Sequence, residues 1–221
     1  MRTALLAVLL SVLPASAVVV DRVAVAVGNK VITESEIELR IRLTAYQNSE
    51  IPDLSLASRR QAASRLIDQK LIEREMEVGH YPNLPEVRAK ELLMEYLKQN
   101  YNGDASAMVI GLTQYALLPE DIQEDLARQA DLLTFLNLRF RPAVQVSDQE
   151  ARKYFDEKSS VAGTARDEQA YGSLRASIED QLTTEKADKE LDLWLEDQKK
   201  STRIVFVEKE LADDTNGSAA P

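Results

Sequence analysis

The sequence predicts a mainly α protein: an elongated helical body with a small β-sheet formed by an N-terminal hairpin and one C-terminal strand. Three observations predict it. Apolar residues recur at helical spacing through most of the chain. All seven prolines (Pro14, Pro52, Pro82, Pro85, Pro119, Pro142 and Pro221) fall at segment edges, so none breaks a helical pattern. Strand patterning is confined to the two ends of the chain.

The first 17 residues read as a signal peptide. Arg2 is a short positive region, residues 4–13 are an apolar run too short to span a bilayer, and Ala15-Ser16-Ala17 is a small-residue cleavage site. This predicts export to a periplasm. Removal of Arg2 takes the formal charge from −10 to −11. Such an acidic chain is a poor partner for nucleic acid or anionic lipid, and with no cysteine it has no lipidation site for a stable membrane anchor. The same absence excludes disulfides and thiolate chemistry.

The mature chain opens with Val23, Val25 and Val27 alternating with Arg22, Ala24 and Ala26, a strand with two unlike faces. Gly28-Asn29 is a two-residue hairpin turn with glycine at its first central position, and residues 30–32 form the return strand. Thr33 with Glu36 is a capping box that opens a helix over 34–47. Its apolar residues, Ile37, Ile41 and Ala45 flanked by Leu39, Leu43 and Tyr46, cover a wide face and predict contact on more than one side.

Ser55 caps a second helix ending at Gly79, about 35 Å long, with Ile67, Leu71, Ile72, Met76 and Val78 on its apolar side. A third helix, 85–101, buries Val87, Leu93, Tyr96 and Leu97, and a short one follows over 105–115. Pro119 opens a helix to 141 whose apolar face carries Ile122, Leu126, Ala130, Leu133 and Leu136. Residues 142–146 are extended. Ser147 and Glu150 form a second capping box, opening a short helix through Phe155. The last helix, 167–199, is marked by Leu174, Ile178, Leu182, Leu191, Trp194 and Leu195, and residues 203–208 form a strand apolar on both faces at its centre. That strand is the obvious partner of the opening hairpin, which is marginal alone. Residues 18–158 and 167–210 therefore form one domain, with a linker at 159–166 and a polar, disordered tail at 211–221.

No motif for nucleophilic, metal or nucleotide chemistry is present. The single histidine, His80, lies in a Gly-His-Tyr-Pro turn, and one histidine without cysteine cannot build a zinc site. The expectation is a non-enzyme without cofactor or metal. The remaining candidate is a surface for unstructured polypeptide, drawn from the large groups Tyr46, Tyr96, Tyr101, Tyr115, Leu117, Leu118, Phe135 and Phe140, with Tyr154 and Trp194 also available. For each of them burial in the core is the competing reading.

Residues 21–37 (DRVAVAVGNKVITESEI) resemble the start of the SurA-like periplasmic chaperones and parvulin-type peptidyl-prolyl isomerases. Residues 60–79 (RQAASRLIDQKLIEREMEVG) are similar to the second helix of that family, and 146–155 (VSDQEARKYF) to the segment preceding its isomerase domain. Motif order and spacing carry more of the resemblance than any single motif. The departure is the missing parvulin domain: a short linker stands where the family has about a hundred residues, and its catalytic histidines have no counterpart. The resemblance implies an ATP-independent chaperone for unfolded outer-membrane or secreted polypeptides. The alternatives are a degenerate isomerase relative or an envelope adaptor with one folded partner.

Overall fold

The computed structural model describes residues 21–162 and 168–212. The expected signal peptide, residues 163–166 of the expected linker and residues 213–221 of the expected tail lie outside the described residues.

Strand β1 (Val23–Val27) turns through Gly28-Asn29 into β2 (Lys30–Thr33), and the late strand β3 (Ile204–Phe206) pairs with the other side of β1. The antiparallel order is β2-β1-β3, so the two chain ends meet in one sheet. Gly28 has φ +60° at the first central turn position, the conformation that glycine adopts without strain, and its amide donates to the Arg203 carbonyl at 2.9 Å. Simple alternation fails at one point. The register shifts between Val23 and Val25, so Ala24 is a bulge: Ala24 is buried and Val23 is exposed. The C-terminal strand is an edge, with Val205 and Val207 exposed, and is not apolar-buried on both faces.

Thr33 caps helix α1 (Glu34–Asn48) as a complete capping box: its backbone N–H donates to Glu36 at 2.8 Å, and its hydroxyl accepts from the Glu36 amide at 3.3 Å. The Asp21 carboxylate adds a bond from the Ser35 amide at 3.3 Å, locking the sheet to the helix start. Ser55 opens α2 (Leu56–Val78), which ends at Gly79. The left-handed residue there is His80 (φ 53°), not the glycine. Helices α3 (Glu86–Tyr101), α4 (Ala105–Thr113) and α5 (Pro119–Arg139) follow. Residues 141–143 form a 3-10 turn rather than extended chain.

Helix α6 (Asp148–Ala162) outruns its expected end at Phe155, so residues 159–162 are helical instead of linker. Helix α7 (Glu168–Ser201) is 34 residues long, roughly 50 Å. After β3, a 3-10 turn (Lys209–Leu211) buries Leu211 in the core, which removes it from the expected tail. Helix α2 fastens this segment: Arg59 pairs with Glu208 at 2.9 Å, and Arg60 Nε donates to the Glu210 carbonyl at 2.8 Å.

Three apolar clusters result. The main one joins Val25, Val27 and Ile32 of the sheet to α2, the C-terminal half of α7, Phe135, Phe140 and Leu211. A second lies among α1, α3, α4 and α5, around Leu43, Leu97, Leu112 and Ile122. A third joins α6 to the N-terminal half of α7 through Phe155, Tyr171 and Ile178. Helix α1 contributes Ile37 and Ile41 to the first and Leu43 to the second, which is the two-sided contact its wide apolar face predicts.

Candidate functional site

Helices α3, α4 and the first half of α5 form a unit whose turns are set locally. Asn102 (φ 52°) and Gly103 (φ +84°) end α3. Asp104 caps α4 by accepting from the Ser106 and Ala107 amides at 2.9 and 3.0 Å. The Asp121 carboxylate accepts from the Leu118 amide at 2.7 Å and fixes the start of α5.

The interior of this unit is rich in tyrosine. The Tyr46 hydroxyl is 2.7 Å from both the Tyr96 and Tyr101 hydroxyls, and the Tyr46 and Tyr115 rings meet edge to face at 5.4 Å. Gly111 makes room for this arrangement, because a Cβ there would stand 2.9 Å from the Tyr101 hydroxyl. Burial, then the hydrogen bonds to Tyr101 and Tyr96, push the Tyr46 phenol above its ordinary range. Burial pushes Tyr96 the same way.

Between this unit and the main core lies a buried polar layer centred on Asp125, 2 % exposed. Its carboxylate accepts from Arg40 at 2.9 Å, Gln47 at 2.8 Å, Arg128 at 3.1 Å and Gln129 at 2.8 Å. Arg40 also donates to Gln69 of α2 at 2.9 Å. Burial pulls the Arg40 guanidinium below its ordinary value, and Asp125 opposes that shift. Four donors on one buried carboxylate join α1 and α5, and Arg40 carries the link to α2.

The eight sequence-predicted contact residues divide. Leu117, Phe135 and Phe140 are buried, so in this structure they are packing groups and not surface. Phe135 is the centre of an aromatic cluster, 5.2 Å from Tyr81 and 5.6 Å from both Phe140 and Trp194. Tyr46, Tyr96, Tyr101 and Tyr115 are half-buried around the second core. Leu118 alone is an exposed large apolar group, at 62 %.

Apart from Leu118, the apolar surface of the unit is formed by residues that the sequence did not single out as contacts. Val87 (70 % exposed) and Met94 (62 %) lie seven residues apart on the outer face of α3, in a shallow groove flanked by Lys90, Glu91 and Glu95. Ion pairs hold those flanks: Arg88 with Glu91 at 3.0 Å and Glu95 at 2.8 Å, and Lys90 with Glu86 at 2.7 Å. Val109 and Ile110 (66 %) are exposed on α4. Val87 is therefore corrected from buried to exposed, as are Val78 on α2, Leu133 on α5 and Leu174 on α7. On α5 the buried stripe runs through Ile122, Asp125 and Phe135, with Leu132 partly buried beside it, which turns Leu133 outward. The available signal was Met94, on the same turn-aligned row as Val87 and opposite Ala89, Leu93 and Tyr96.

Among the described residues no cluster of His, Asp or Glu could hold a metal ion, and no helix is long and apolar enough to cross a membrane. His80 Nδ1 lies 3.0 Å from the Val78 carbonyl, a contact within its own turn. No protein-family model matches the chain, and neither does any curated protein.

Proposed function

We propose that the protein is an ATP-independent, periplasmic chaperone that holds unfolded outer-membrane or secreted polypeptides through apolar groups on its helices. The observation that carries this reading is the set Val87, Met94, Ile110 and Leu118, each more than 60 % exposed on one helical unit. Val87 and Met94 share one shallow groove, and large apolar groups left exposed in this way suit weak contacts with many sequences better than one shaped ligand. Two sequence features support it: the signal peptide and the SurA-like order of motifs. The formal charge of −11 on the chain without Arg2 (−10 − 1) favours solubility of the loaded complex. Unfolded clients bind at several weak points, so capacity scales with exposed apolar area and requires no nucleotide.

The test is light scattering of an unfolded β-barrel protein diluted from urea with one equivalent of the protein. The reading expects suppressed aggregation without ATP. Unchanged aggregation, with the protein folded by circular dichroism, overturns it. A proline cis/trans assay on the same preparation is expected to run at the uncatalysed rate.

A further inference from the structure

We infer that the free edge of β3 is a second client contact, one that takes an extended segment as a fourth strand. The inference rests on the chaperone reading and specifies the conformation of part of the client. The phase of the ladder carries it. Gly28 N–H donates to Arg203 O, and Val207 N–H donates to Ala24 O, both at 2.9 Å. Val205 pairs with Ala26 between them. Residues 203, 205 and 207 therefore direct their amides and carbonyls at β1, and Ile204 and Phe206 direct theirs away from the sheet. Among the described residues nothing hydrogen-bonds to those outward groups.

Two donors and two acceptors spaced along one edge specify an extended backbone as the occupant. Side chains narrow the choice. Arg203, Val205 and Val207 stand on the outer face of the sheet, all exposed, in the row that also holds Val31. Ile204 and Phe206 are half-buried on the core face. No ion pair engages Arg203 among the described residues. An antiparallel added strand with apolar residues and an acidic residue at its C-terminal end fills this edge. The acidic residue faces Arg203, and the apolar residues lie beside Val205 and Val207. An edge that offers only two outward residues gives a weak, reversible contact, as a holding chaperone requires.

The test uses the full mature chain and a ten-residue peptide alternating valine and threonine with a C-terminal aspartate. Hydrogen exchange is read amide by amide. The expected result is new protection of the Ile204 and Phe206 amides at saturating peptide, with the already bonded Val205 and Val207 amides unchanged. Replacing the aspartate by lysine is expected to weaken binding about threefold. Val205→Lys keeps the bonds to β1 and is expected to abolish the new protection.

Peptide binding without protection at Ile204 and Phe206 overturns the inference and leaves the helical contact standing, as does an absence of peptide binding alongside suppressed client aggregation. Protection of those amides in the protein alone, with a doubled solution mass, assigns the edge to a second copy and also overturns it. Failure of the aggregation assay removes both readings.

Discussion

At the residue scale, two side chains decide how the helices are joined. Asp125 has its charge balanced by Arg40 and Arg128 and its oxygens filled by Gln47 and Gln129. Removing the carboxylate leaves the largely buried Arg40 without its counter-charge, the costly half of a broken buried pair. Asp125→Ala is expected to lower stability by about 3 kcal/mol, read from the urea midpoint. Tyr46 offers a pH readout. Its phenol, like that of Tyr96, is raised above the ordinary value of 10.0. The folded state holds these protons more tightly than the unfolded chain, so their contribution is complete below about pH 10 and is lost as pH rises beyond it. A phenolate absorbance titration is expected to show Tyr46 and Tyr96 titrating late among the seven tyrosines. Tyr46→Phe should remove the late rise assigned to Tyr46. Neither role was legible beforehand. Asp125 reads as one more acid on a charged helix, and its partners lie 78 and 85 residues away in the chain. The tyrosines were visible as large groups, but which of them face one another depends on how α1, α3 and α4 pack.

At the element scale, local chemistry was the legible part. Thr33 with Glu36 and Ser147 with Glu150 are capping boxes in sequence and in structure, and Pro119 starts α5. A cap depends on residues within four positions, so spacing suffices to see it. Features set by distant partners were not legible. The Ala24 bulge is a register shift against β2, and the Ala24 carbonyl accepts from Val207 and Glu208 at the far end of the chain. Leu211 looks like the start of a polar tail until α2 draws it inward through Arg59 and Arg60. The pairing of the chain ends was legible, since no other segment had strand character. Deleting residues 203–208 is expected to cost about 4 kcal/mol, on the order of 10 °C in Tm, because it exposes β1 and unseats Leu211. A thermal scan checks this, and an unchanged Tm contradicts the coupling of the two ends.

At the scale of the whole molecule, the sheet and the Asp125 layer join the helices to one another and leave apolar groups of α3 and α4 exposed. The main core is closed by the meeting of the chain ends. The tyrosine-rich unit has its own interior, and outside that interior it leaves Val87, Met94 and Ile110 exposed. Exposed residues that pack against no core can be changed with little loss of stability, so the proposed function can be tested separately from folding. The most direct measurement is client aggregation in the presence of the double variant Met94→Asp, Ile110→Asp, with Tm determined on the same sample. The account predicts that suppression falls at least severalfold relative to the unaltered protein while Tm stays the same. Undiminished suppression by the folded double variant contradicts the assignment of this helical surface as the place where clients are held.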